Sequence, residues 1–182
     1  MKGVIFRALE QLVVDKLGMA AWNNLLQHHG LAEQVYISPK SYPDQELMSL
    51  VGGISEALAI PADQVVKMFG EYLFGYLANR HCAIMNQFVN FQELIFGIDA
   101  VIHKEVIKLY HEPNLPAIRV EQGSQGELNV FYASKRQLCW CAEGLIVGAA
   151  KYFNTRISLQ HPECMHQGAS ECRIVVKVED NG

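Results

Sequence analysis

Three cysteines and a histidine gather near the end of the chain: Cys139, His161, Cys164 and Cys172. Three thiolates with one imidazole form a closed tetrahedral donor set, which is the chemistry of structural zinc. His161-Pro-Glu-Cys164 is a tight pair of ligand types, and Cys172 follows a turn containing Gly168. The gap from Cys139 to His161 is too long for an ordinary finger, so unconnected thiols are the plain alternative. His166 competes for the nitrogen position; His161 is preferred because a strand is expected to end there. Cys141 lies two residues beyond Cys139, and residues two apart on a helix do not share a face. One can therefore turn toward the set while the other turns away. Cys82 stands outside it, expected as a buried or partly buried free thiol.

A second group of residues offers a different chemistry. The spacing predicts a long helix over Phe91–Tyr110, opened by Asn90 with Glu93 three residues later, a capping-box pattern. Phe96, Ala100, His103, Ile107 and Tyr110 recur in steps of four and three, which aligns His103 with apolar neighbours. A helix apolar nearly all round is buried or packs on something large and apolar. A haem is such a body, and imidazole is a usual axial ligand to its iron. The plain alternative is a core histidine satisfied by backbone groups. Further on, Tyr132, Ser134 and Arg136 alternate along an extended segment and project from one side. Two hydroxyls and a guanidinium fork suit a pair of carboxylates. Alternatively, Ser134 caps a following helix.

The elements that must hold these groups are mostly helices. Half of the 182 residues are apolar, enough for one domain or one domain in two lobes. Helices are expected over Val4–Leu17, Ala20–His29 and Asp44–Ala59, and from Pro61 to about Asn79. The pattern then changes: Glu127–Ala133 alternates as a strand, Lys135–Phe153 reads as a helix, and Arg156–Gln160 and Arg173–Val178 read as strands. The turn-rich stretch between Asn114 and Gly126 is the expected seam between lobes, and no repeat is present. A net charge of −4 with mixed signs argues against a nucleic-acid surface. No apolar run suits a membrane span, and the first residues read as an amphipathic helix and not an export signal, so no membrane association and a cytoplasmic location are expected. An odd five cysteines in a reducing compartment point to metal or thiol chemistry.

The opening MKGVIF, the segment IHKEVIKLYHEPNLP around His103, the YASKR motif and the following CAEGLIVGAAKYF closely resemble the H-NOX domains, also called haem nitric oxide/oxygen binding domains. The resemblance covers essentially the whole chain. It implies an α+β fold: a helical N-terminal lobe (about 1–60, the distal subdomain) packed on a lobe with helices and a small antiparallel sheet (about 61–182), with haem b between them. It makes His103 the proximal iron ligand and Tyr132, Ser134 and Arg136 the holders of the haem propionates. Pro116 matches the proline packed on the haem, and Ile5, Leu9, Phe74 and Leu145 fall where the family lines the distal side. Oxygen-binding members carry a tyrosine five residues after the motif arginine; Cys141 stands there instead. A thiol is a poor hydrogen-bond donor, so this departure points to a nitric oxide sensor that excludes oxygen, with carbon monoxide as a further possible ligand. A subgroup of the family holds zinc with a similar Cys/His set.

The expected function is thus a haem-based gas sensor and not an enzyme, its output lying in a separate histidine kinase or cyclic-di-GMP enzyme. A zinc and thiol redox sensor that works without haem is the alternative. A cysteine hydrolase using Cys141 or Cys82 with a histidine is disfavoured, because neither thiol reads as a nucleophile in a turn-and-helix setting with a base and an orienting acid nearby.

Overall fold

The computed structural model describes residues 1–179. The last three residues of the expected 61–182 segment lie outside it. Helix α1 (Gly3–Leu17) begins a helical layer continued by α2 (Met19–His28), α3 (Asp44–Leu58) and α4 (Ala62–Arg80). Their inward faces meet in one core built around Phe6, Leu9, Leu50, Val51, Val65 and Phe69. Pro61 precedes α4, where its fixed φ suits a helix start. A short α5 (Cys82–Met85) leads to α6 (Phe91–Gly97), whose N-cap Asn90 accepts from the Glu93 amide at 2.9 Å.

The expected single helix over Phe91–Tyr110 is interrupted. Residues Ile98–His103 form a π-helical segment, and α7 (Lys104–Leu109) resumes the ordinary pitch. A wide turn inserts an extra residue, so positions on either side of it no longer share a face. The stripe read from Phe96 to Tyr110 is therefore not one surface: Phe96 and Ile107 are exposed, while the His103 side chain is only 12% exposed. Nor is the helix buried all round, since neither the π segment nor α7 holds a fully buried residue.

Four antiparallel strands complete the chain in the order β1-β2-β4-β3. They are β1 (Ala117–Gln122), β2 (Leu128–Ala133), β3 (Ile157–Glu163) and β4 (Cys172–Val178). Strand β1 occupies the stretch expected as a seam. Its alternation in Ala117–Gln122 is short and set between turn residues, and its pairing with β2 supplies what the local pattern lacks. One sheet face packs Leu128, Val130, Ile174 and Val176 against α6 and α8 (Cys139–Tyr152), forming a second core. Helix α8 starts four residues later than expected. Ser134 does not cap it: its Oγ accepts from the Arg136 amide at 3.2 Å, and Leu138 holds the N-cap position. Among the described residues, no helix is long and apolar enough to cross a membrane.

The two cores meet along α4 and α8, which share the most intimate helix contact in the molecule. The glycines make that approach possible. A Cβ at Gly144 would run into the Lys67 carbonyl oxygen, and one at Gly70 would run into that of Cys141. Together the glycines bring the two helices to backbone contact, and α8 thereby serves both candidate sites.

Candidate functional site

An apolar cavity of about 360 Å³ opens between the two cores. That is within the usual range for small-molecule sites. Its walls come from nearly every element: Ile5 of α1, Phe74 of α4, Ile102 and His103 of the π segment, Pro116 before β1, and Cys141 and Leu145 of α8. Tyr132, Ser134 and Arg136 border it as well. Leu9 does not. One turn beyond Ile5 on α1, it is fully buried in the first core.

His103 is the nitrogen donor of interest. Its Nδ1 lies 3.2 Å from Asp99 Oδ1, one turn back within the π segment. With Nδ1 so engaged, Nε2 is the ring atom left to meet a ligand. Among the described residues Nε2 has no hydrogen-bond partner, and no backbone group satisfies the ring. An imidazole with a free ring nitrogen in a largely apolar wall fits a large apolar group that takes such a ligand.

The polar rim is a turn and not a continuation of the strand. Tyr132 ends its run on β2 and accepts from the Leu138 amide at 3.0 Å. Arg136 lies beyond the strand; its Nε donates to Asp44 Oδ2 at 2.6 Å and its Nη1 to the Asn114 carbonyl at 2.8 Å. Asp44 also receives the N-terminal ammonium at 2.6 Å. Burial alone would raise the Asp44 carboxyl, but these two cations hydrogen-bond to it and hold it below its ordinary value. A guanidinium, two hydroxyls and an ammonium thus border an apolar cavity, an arrangement that suits an amphipathic ligand bearing carboxylates.

Cys141 meets the cavity with a thiol that burial pushes up to about 12. Such a group is neither a nucleophile at neutral pH nor a strong donor. Cys82 is exposed, not buried, because the short α5 leaves its first side chain outward; its Sγ reaches the Asn79 carbonyl at 3.3 Å. Two residues that the sequence reading missed, His81 and Tyr110, also line the cavity. His81 lies just past the end of α4, where periodicity carries no signal, whereas Tyr110 falls on the stripe through His103 without a role assigned to it.

At the start of α8 a second site forms. Ligand atoms of Cys139, His161, Cys164 and Cys172 lie within 4.8 Å of one another. The Sγ atoms of Cys139 and Cys164 are 3.8 Å apart, and Cys172 Sγ accepts from the Met165 amide at 3.2 Å. Burial raises the thiols of Cys139 and Cys172; neighbouring thiols add to the rise at Cys139, while at Cys172 the Met165 amide and Cys139 oppose it in part. Helix α8 delivers Cys139, β4 delivers Cys172 opposite Tyr132, and the turn after β3 delivers Cys164. A register shift between Gln160 and Glu163 marks a bulge at His161 and Pro162. Bulges re-aim side chains, and here the ring reaches the thiols from within the strand and not from its end. His166 is elsewhere: it is exposed, stacks on Trp140 at 4.1 Å and pairs with the Gln137 carbonyl at 2.8 Å. His161 Nδ1 lies 2.7 Å from Glu143, while Nε2 is buried without a hydrogen-bond partner among the described residues. A buried nitrogen lone pair left unsatisfied among three thiols is costly, and a metal ion satisfies all four donors at once. A polar cleft of about 360 Å³ bordered by Lys67, Glu143, His161 and Cys164 gives such an ion a way in.

Comparison with known proteins follows the same lines. A family model described as haem-NO-binding matches residues 2–161. The H-NOX protein from Shewanella oneidensis, solved in the Fe(II)NO ligation state, is 44% identical and superposes with a TM-score of 0.95, covering 99% of this chain and 100% of that one. The H-NOX domain from the same organism in the Fe(II)CO ligation state gives 44% identity and a TM-score of 0.92 over 100% of both chains. Soluble guanylate cyclase gcy-34 of Caenorhabditis elegans is 28% identical over 171 residues, which are 87% of this chain and 24% of that protein. The chain spans about a quarter or less of the curated relatives it matches.

Proposed function

This chain belongs to the haem-NO-binding family, the H-NOX domains, which bind haem and sense nitric oxide or oxygen, and we infer that it is a nitric oxide sensor that excludes oxygen and signals to a separate protein. The observation that carries this reading is one apolar cavity bordered at once by His103, the Tyr132–Ser134–Arg136 turn and Cys141. When bound, haem b supplies the ferrous iron at which nitric oxide, and also carbon monoxide, can sit. His103 Nε2 would hold the iron, with Asp99 engaging the other ring nitrogen and fixing the ring's orientation. Tyr132, Ser134 and Arg136 hold the propionates, and Pro116 packs on the macrocycle. Ile5, Phe74, Leu145 and Cys141 form a distal wall with no strong hydrogen-bond donor. Polarised dioxygen needs such a donor, whereas nitric oxide does not.

The signal is a change in restraint on the Ile98–Leu109 segment. Ile98 and Ile102 pack against the second core, but α7 holds no fully buried side chain, so the imidazole is a main restraint on the end of the segment. Releasing His103 frees the segment and lets the distal part, about residues 1–60, shift against the rest of the chain, about residues 61–182. A partner reads the shift only by favouring one arrangement over the other. A histidine kinase or a cyclic-di-GMP enzyme is the partner class. H-NOX domains are sensors, and the half-buried Cys141 thiol, pushed up to about 12, is no nucleophile at neutral pH.

The cysteine cluster supports a second role on the same fold. Cys139, His161, Cys164 and Cys172 hold zinc, and the orphaned His161 Nε2 is the observation that favours it. The ion pins the sheet to the start of α8. Oxidation of two of the zinc-bound thiolates by a peroxide would form a disulfide, the two electrons reducing the O–O bond to two hydroxide-level oxygens, and would release the ion, so the site can also sense redox state without haem.

The reduced, haem-reconstituted protein tests the main reading. Its Soret band shifts on adding nitric oxide and stays put in air; a stable oxygen adduct, or no Soret band, overturns it.

A further inference from the structure

The Cys/His cluster is not the end of the polar chain at the start of α8. Glu143 is the charged residue that the fold buries among the described residues, at 7% exposure. Both its oxygens are engaged: Oε1 lies 2.7 Å from His161 Nδ1, and Oε2 accepts from Lys67 Nζ at 2.6 Å. A buried carboxylate is costly unless paired and hydrogen-bonded, so its retention here calls for a reason beyond filling space. The geometry supplies one. An imidazole that uses Nδ1–H to reach a carboxylate keeps its proton there and presents the bare Nε2 lone pair on the far side. In His161 that far side is the buried, unpartnered atom beside the three thiols.

We propose that Glu143 is the positioning residue of the Cys139–His161–Cys164–Cys172 centre, fixing His161 as its Nδ1–H tautomer so that Nε2 faces the ion, with Lys67 as the counter-charge that offsets the Glu143 carboxylate. The proposal rests on the zinc reading given above. Its charge balance is favourable: a divalent ion with three thiolates carries one excess negative charge, and a second bare anion 2.7 Å from its imidazole would add to that. Lys67 offsets that second anion. The three groups come from three elements, Lys67 from α4, Glu143 from α8 and His161 from β3, so the relay also ties the sheet to the paired helices. Outer partners of this kind set the orientation and basicity of the ligating ring, and their removal typically weakens metal binding about 10–100-fold.

Two readouts on the full-length protein test the assignment. The first is zinc affinity by chelator competition, the parent being measured first. Glu143→Ala is expected to bind zinc about 10–100-fold more weakly. Glu143→Gln keeps an acceptor for Nδ1–H and should recover most of that loss, which a simple loss of a structural ion pair would not do. The second is the nitrogen NMR signature of His161 in the metal-free, thiol-reduced protein. The parent should show the Nδ1–H tautomer, Glu143→Ala a mixture, and Lys67→Met the parent pattern. Zinc affinity and tautomer both unchanged in Glu143→Ala would overturn the assignment. A parent that binds no zinc would overturn the metal reading, while the tautomer measurement would still decide the role of Glu143 on its own.

Discussion

The apolar cavity and the thiol cluster lie close together on α8, with Cys139 and Cys141 only two residues apart, yet they are built on opposite plans. The cavity draws side chains from almost the whole chain, offers the free Nε2 of His103 and leaves its π segment without a fully buried residue. The cluster draws on the start of one helix and one strand pair, buries its three thiols and leaves little room inside. A wide, largely apolar wall that presents the His103 imidazole suits a large flat prosthetic group whose hold on the protein can change. A closed set of four donors suits a bare ion whose hold should not. The difference separates a site made to respond from a site made to pin, and disturbing each side should show it.

The largest effect is expected at the cavity. His103→Gly should lose haem unless imidazole is supplied in solution, read as Soret absorbance per protein; full retention without imidazole would break the contrast, because the cavity alone would then suffice. Next comes the cluster. Cys172→Ser should lower bound zinc from about one per chain to near none and lower the Tm, while the Soret band of the reduced protein keeps its position. A shifted Soret band would mean that the two sites are not separable.

The backbone contact between α4 and α8 tests the ground that both sites share. Gly144→Ala pushes a methyl into the Lys67 carbonyl. Overpacking of this kind costs about 1–3 kcal/mol, or roughly 2–12 °C in Tm for a chain of this size. Both haem and zinc retention should weaken together. A smaller change is expected from Cys141→Tyr, which adds a phenol to the cavity wall and should raise oxygen affinity in air-exposed spectra. Tyr110→Phe should leave oxygen affinity low, since that phenol sits beyond the end of α7.

The smallest effect concerns acid. The Asp44 carboxyl is held below its ordinary value by Arg136 and the N-terminus. Its contribution is therefore present above the ordinary carboxylate range and is lost as pH falls from about 4 toward the lowered value. Melting curves from pH 5 to pH 3 should fall more steeply for the parent than for Asp44→Asn.

The two sites also differed in how far the sequence revealed them. The cluster was readable from donor types, because three cysteines and a histidine in a short span have few other uses. What the sequence withheld was Glu143, which looks like any helix glutamate until folding buries it against His161. At the cavity, the helical pattern located His103 but misjudged its surroundings. A single wide turn at Ile98–His103 rotates one half of the stripe against the other, and no residue in that segment announces it. Strand β1 was hidden for a related reason: its strandness comes from pairing with β2, at long range. Leu9 shows the limit of reading by family position, since one helical turn separates a cavity wall from a closed core.

The most direct test of the central claim is the electronic spectrum of the reduced, haem-loaded protein and of His103→Gly, each before and after nitric oxide. The parent should take up haem and respond to nitric oxide but not to air, and the variant should hold haem only with added imidazole. A parent that stays colourless after reconstitution, or a variant that behaves like it, would contradict the account.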